Sequence, residues 1–136
     1  MNMIKLSDSV TVSPQIRAED VAAVAEAGYK IMVNNRPDGE EAGQPANAEI
    51  AAAAADAGLE YHYMPVGHAD FPGADFGAFA QMVDNPEKPV FAFCRTGTRC
   101  ANLWVASRPE SERDDAVTQA RRCGFDLGFA ARYLNQ

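Results

Sequence analysis

The run Val90-Phe91-Ala92-Phe93 ends on Cys94, passes through Arg95-Thr96-Gly97-Thr98 to Arg99, and continues into the helix-forming residues Ala101 to Ala106. A short apolar run bounded by turn residues reads as a buried strand. A strand that feeds a glycine-bearing turn and then a helix is half of an α/β unit, and such units bind ligands at the carboxyl edge of the sheet. The turn aims successive N–H groups inward, and the helix adds the positive end of its dipole. Arg99 supplies a planar fork for an oxyanion. Together these features are expected to lower the pKa of Cys94 and make it a nucleophile near neutral pH. The rival reading is a buried, inert cysteine. It leaves the polar turn ahead of the helix without a purpose.

Spacing refines the expectation. Four residues separate Cys94 from Arg99, whereas cysteine-dependent protein phosphatases use five in their C-x5-R signature. Rhodanese-type sulfurtransferases carry the shorter loop, often with an arginine directly after the cysteine, where Arg95 stands here. A shorter loop brings its amides closer together and suits a single persulfide sulfur better than a tetrahedral phosphate.

The length of 136 residues suits one domain, taken as 1–136. A net charge of −7 argues against nucleic acid and anionic membrane as partners. It also makes Arg95 and Arg99 a local positive site on an acidic chain. No apolar run approaches the ~20 residues of a membrane helix. The amino terminus lacks the basic and apolar regions of a signal peptide, so a cytoplasmic location is the expectation. The three cysteines, Cys94, Cys100 and Cys123, form no C-x-x-C pair, and there are two histidines. No disulfide framework, metal centre or cofactor is expected.

The pattern predicts short strands at Ile4–Leu6 and Val10–Val12, then a helix over Ala18–Ala27 stopped by Gly28. A strand at Lys30–Asn34 and a loop over Asn35–Gln44 precede a helix at Pro45–Ala57. A strand at Leu59–Met64, a helix at Ala74–Val83 and the Val90–Phe93 strand follow. Helices close the chain at Cys100–Ser107, Glu112–Arg122 and Leu127–Leu134. Alternating elements imply an α/β fold, with a mostly parallel sheet of about four to five strands flanked by helices. Loops Asn34–Gly39, Val66–Asp75 and Cys94–Arg99 then converge on one edge.

Three stretches carry a resemblance: Ser13-Pro14-Gln15 before the first helix, Asn34-Asn35-Arg36-Pro37-Asp38-Gly39-Glu40 after a strand, and Cys94 to Arg99 before a helix. Together they resemble the phosphatase-like domain of beta-lactamase-hydrolase-like proteins, a bacterial family also labelled sulfurtransferase. That domain occurs alone and fused to persulfide dioxygenases or other sulfide-oxidation modules. The resemblance implies a fold similar to dual-specificity, cysteine-dependent phosphatases. It implies Cys94 as nucleophile, Arg99 as anion clamp, the amides of Arg95, Thr96, Gly97, Thr98 and Arg99 as cradle, and Arg36 as a further pocket residue. A persulfide dioxygenase or another sulfide-oxidation protein is an implied partner. The chain departs from the phosphatase pattern at Cys100, where a serine or threonine usually stabilises the departing thiolate. A thiol is a weaker donor.

Other residues carry paired readings. Cys100 is either a packing residue or a resolving thiol for Cys94. Cys123 reads as structural and Trp104 as core. Arg36 is either an anion-site residue or a surface turn arginine paired to Glu40 or Glu41. Asp70 and His68 are candidate general acids, whereas Asp75 suits a first helical turn. The leading functional expectation is a rhodanese-like sulfurtransferase that carries sulfane sulfur as a Cys94 persulfide. The alternatives are a cysteine-dependent phosphatase working through a phospho-cysteine, and a non-catalytic redox sensor or persulfide carrier. The expected ligand is a sulfane-sulfur donor or a phosphoanion.

Overall fold

The computed structural model describes residues 1–135. Strands β1 (Ile4–Lys5), β2 (Val10–Ser13), β3 (Ile31–Asn34), β4 (Glu60–Tyr63) and β5 (Val90–Phe93) form one sheet in the order β1-β2-β5-β3-β4. All neighbours pair in parallel except β1, which runs antiparallel to β2 at one edge. A tight turn suffices there, because only parallel pairs need a crossover. Ser7 Oγ closes that turn by accepting the amides of Ser9 and Val10 at 3.1 and 3.2 Å.

Two helices, α1 (Val21–Glu26) and α2 (Asn47–Asp56), cover one face of the sheet. Four others, α3 (Phe76–Met82), α4 (Thr98–Ser107), α5 (Glu110–Arg122) and α6 (Gly128–Leu134), cover the opposite face. The period of two along β5 divides its side chains between the layers. Phe91 and Phe93 pack with Val21, Val24 and Ile50, whereas Val90 and Ala92 pack with Leu103 and Val105. Cys94 continues the second set, so its sulfur lies on the α4 side. Among the described residues no helix is long and apolar enough to cross a membrane.

Register positions the site. Ser13, Phe93 and Asn34 stand level at the carboxyl ends of β2, β5 and β3. The next residues therefore emerge side by side: Asn35 N–H donates to Phe93 O at 2.9 Å, and Gln15 N–H to Arg95 O at 3.2 Å. Several expected boundaries move for local reasons. The Ala18–Ala27 segment is a 3-10 turn, Ala18–Asp20, leading into a six-residue α1. Helix α5 starts at Glu110 because Pro109, in extended geometry, caps it. Helix α4 begins at Thr98, two residues early, because Gly97 adopts φ 88° and turns the chain straight into the helix.

The α4–α6 contact rests on one buried amide. Asn102 is fully buried; Nδ2 donates to Thr98 O and Asp126 O, both at 2.8 Å, and Oδ1 accepts Ala130 N–H at 2.9 Å. Its loss removes a hydrogen bond from all three of these backbone groups. Asn102→Ala is expected to cost about 3 kcal/mol, from unsatisfied buried groups. Chemical denaturation should read that loss, and the Ala130 amide should exchange faster with solvent.

Candidate active site

The Cys94–Arg99 loop closes around the sulfur. Gly97 N–H donates to Cys94 Sγ at 3.2 Å. A side chain at position 97 would meet both the left-handed backbone and Ser13, whose carbonyl carbon lies 3.4 Å from the Cβ position. Thr96 Oγ1 donates to Thr98 Oγ1 at 2.9 Å and accepts Thr98 N–H at 3.4 Å, so the polar tip is held in one shape.

The two buried cysteines divide their roles. The Cys94 thiol is lowered to about 6. The hydrogen bond from the Cys100 thiol is the largest cause. Burial opposes it, and the Cys100 amide, the Arg99 charge and the Thr96 amide assist. Burial raises Cys100 well above the ordinary thiol range, and its donation to Cys94 raises it further. Cys94 is thus the thiolate and Cys100 the neutral donor, at the position where the sequence left packing and resolving roles open.

Arg99 is buried at the first turn of α4. Its Nη1 and Nη2 donate to the two carboxylate oxygens of Glu40, both at 2.8 Å, and Nη1 also donates to Val66 O at 2.7 Å. Five N–H groups are available on a guanidinium. The edge formed by Nε and the remaining Nη2 proton has no protein partner among the described residues, and it is a bidentate edge for an oxyanion.

Glu40 also accepts Arg36 Nε at 2.9 Å. Arg36 is almost wholly buried, at 1 % exposure, and spends its other donors on Gln15 Oε1 at 3.1 Å and Glu41 Oε1 at 2.9 Å. The expected pairing of Arg36 with Glu40 or Glu41 occurs with both, but in the interior rather than in a surface turn. Arg36 lines the same region as Arg95, so the two readings meet in one residue. Arg36 acts by holding Glu40, and through it Arg99. The hydrogen bond from Arg99 is the main reason that Glu40 is lowered from 4.5 to about 2. Sequence reasoning offered Glu40 only as a surface partner of Arg36 and gave it no role toward Arg99. The only signal was its four-residue spacing from Arg36.

Two cavities adjoin at the loop. One, of about 330 Å³, is lined by Arg36, Glu40, Glu41, His68 and Arg95. The other, of about 250 Å³, is lined by His68, Arg95, Thr96, Thr98, Arg99 and Phe129. His68 reaches both. Asp70 lines neither: its Oδ1 accepts Gly67 N–H at 2.7 Å and closes its own turn. Asp75 stands at the start of α3, Trp104 is in the core and Cys123 is half-buried. Among the described residues no group of three His, Cys, Asp or Glu side chains is placed to hold a metal ion.

Two outcomes follow from this geometry. Ultraviolet thiolate absorbance, taken as wild type minus Cys94→Ser, should titrate near pH 6. Cys100→Ala should move that titration upward, because it deletes the donor. For Glu40 the folded pKa is depressed, so its contribution to stability is present above pH 4.5 and is lost as pH falls toward about 2. Thermal unfolding of wild type should therefore decline with acid over that window more steeply than that of Glu40→Gln.

Comparison with known proteins gives a consistent picture. A crystal structure of a candidate phosphatase from Neisseria meningitidis Z2491 superposes with a TM-score of 0.77 at 36% identity, covering 97% of this chain and 96% of that one. Tk-PTP in its active form superposes with a TM-score of 0.74 at 17% identity, covering 98% and 93%, and shows the shared fold alone. The beta-lactamase hydrolase-like protein of Agrobacterium fabrum strain C58 is 35% identical over all of this chain, and that of Xylella fastidiosa strain Temecula1 is 33% identical. The chain spans about a third, 32%, of the length of these curated relatives. The model for the phosphatase-like domain of beta-lactamase hydrolase-like proteins matches residues 2–111. The sheet that carries Cys94 is therefore a phosphatase-like α/β fold, and the chain belongs to the family of beta-lactamase hydrolase-like phosphatase-like domains.

Proposed function

We propose that this chain is a cysteine-dependent phosphomonoester hydrolase. One observation carries the reading: Cys94, whose thiol is lowered to about 6, stands in a loop whose arginine is locked on Glu40 with its Nε–Nη2 edge unpartnered among the described residues. Similarity to phosphatase structures supports it over the sulfurtransferase expectation.

The chemistry follows in two steps. Cys94 Sγ attacks phosphorus, an S–P bond forms and the ester P–O bond breaks, and the leaving oxygen departs as an anion that takes its proton from solvent water. Loop amides and the Nε–Nη2 edge of Arg99 hold the equatorial oxygens as charge builds. Water then attacks phosphorus, the S–P bond breaks and inorganic phosphate leaves. The thiolate that departs is received by the Cys100 thiol and the Gly97 amide. Cys100 thus takes the place of the usual hydroxyl, as the weaker donor.

A second reading, thiol sulfurtransfer, rests on a separate observation. Glu40 and Glu41 are held ionised by Arg99 and by Arg36, and Asp70 is committed to Gly67. Among the described residues, the carboxylates that line the two cavities are thus held by arginines, and persulfide transfer needs no acid to protonate a leaving alkoxide. In that chemistry Cys94 Sγ attacks the outer sulfur of thiosulfate, the S–S bond breaks and sulfite leaves; the persulfide sulfur then passes to cyanide as thiocyanate, or to a thiol as its persulfide, and the Cys94 thiolate is restored.

An aryl phosphate assay beside intact mass spectrometry separates the two. The hydrolase reading expects inorganic phosphate release that disappears in Cys94→Ser and falls about a hundredfold in Arg99→Lys, the scale for losing an oxyanion donor. Asp70→Asn should match wild type. No phosphate release, with one sulfur gained on Cys94 after thiosulfate and discharged by cyanide, would replace this reading with the second.

A further inference from the structure

A second compartment opens beside the anion loop. The 250 Å³ cavity shares His68 and Phe129 with a neighbour of about 200 Å³, whose further walls include Phe71, Tyr133 and Arg132. These walls are braced rings. Phe71 stacks on Phe129 with centroids 5.4 Å apart, and the His68 ring meets the same Phe129 at 5.9 Å, nearly perpendicular. Tyr133 packs edge-on against Phe71 and Phe76. The loop that carries His68 and the helix α6 are thereby joined, with the Asn102 bridge holding α6 from below.

One cation stands at this aromatic wall. Arg132 Cζ lies 5.3 Å from the Phe129 centroid, and Arg132 enters no ion pair among the described residues. On a chain with 19 acidic and 12 basic residues, an arginine beside a cavity with no carboxylate partner among the described residues is available to a ligand. Phe129, Arg132 and Tyr133 lie beyond the stretch matched by the family model, residues 2–111, whereas His68 and Phe71 lie within it.

The leaving group is constrained by a separate argument. The carboxylates over the loop are spoken for by arginines, and Asp70 closes its own turn. A site whose lining carboxylates are all held by arginines favours leaving groups that depart readily as anions. A phenol resembles the tyrosine side chain, with a pKa of about 10, whereas bulk water, the nearer guide to an alcohol, stands at ~15.7.

We propose that this second compartment is a leaving-group subsite selecting aryl phosphomonoesters whose ring bears a negative charge, with Phe129 packing the ring and Arg132 pairing with the charge. The inference rests on the hydrolase reading for its ester chemistry, but its recognition part is measurable without turnover. The probes are 4-(phosphonomethyl)benzoate and its neutral carboxamide counterpart, neither of which can be cleaved, with binding to the full chain read by calorimetry. Wild type should bind the carboxylate about fivefold more tightly, the scale of a part-exposed ion pair. Arg132→Gln, at an exposed position where substitutions leave folding intact, should erase that preference and leave carboxamide binding unchanged. Phe129→Leu should weaken both. Equal binding of the two probes by wild type, an undiminished preference in Arg132→Gln, or no binding of either probe overturns the proposal. The matching phosphate esters supply the other arm. If the phosphonates discriminate through Arg132 but neither ester is hydrolysed, the subsite stands and the hydrolase reading falls.

Discussion

Two buried guanidiniums share one carboxylate, and the site is organised by that shared charge. Arg36 and Arg99 arrive from different strand ends, and each needs a counter-ion to be held away from water. Glu40 serves both, at 2.8 to 2.9 Å, from a side chain that is itself about one-fifth exposed. The arrangement leaves little rotational freedom to Arg99, because one edge of its fork and the far proton of Nη1 are already committed. Oriented donors of this kind are most effective when they need not reorganise as charge develops. The carboxylate thus sets the direction in which Arg99 can act, although it stands 59 residues away along the chain.

The level ends of β2, β5 and β3 make that meeting possible. Parallel pairing in a common register brings Ser13, Phe93 and Asn34 to one line, and the loops that follow have no choice but to share an edge. The run Val90–Phe93, the turn and the helix after it are local features, so their order and the position of Cys94 are legible from residues alone. Convergence of the three polar loops follows from alternation of strands and helices. What is not legible locally is which atoms pair across those loops. Arg36 with Glu40 is a four-residue relation and is visible as a possibility. Glu40 with Arg99 is set by the path of a loop without helix or strand, and nothing in the spacing signals it. Asp70 is the reverse case: an acid in a loop at the right edge whose carboxylate closes the turn at Gly67, a pairing that its residue type does not announce.

Cys100 shows why residue type and position have to be read together. As a small apolar-tolerant side chain it packs without penalty against the α4 core, which is what its sequence context suggests. Complete burial keeps its proton on, and that same burial makes it a donor rather than a second nucleophile. Cys94 is equally buried, yet it receives a thiol proton and loop amides and lies near a guanidinium, so its balance tips the other way. Burial alone raises a thiol; directed donors reverse the sign.

The charges around the sulfur bear on what can bind there. Arg36, Arg95 and Arg99 are matched by Glu40, Glu41 and the Cys94 thiolate, and the chain as a whole is acidic by seven charges. Neither the local sum nor the distant field attracts an anion, and the distant part is screened over about 8 Å at physiological ionic strength. Capture therefore depends on short-range, oriented donors: the loop amides and the open edge of Arg99. Such a site discriminates by shape and hydrogen-bond geometry rather than by net charge. A ligand group held outside the loop, against Phe129 and Arg132, meets a cation that enters no ion pair among the described residues.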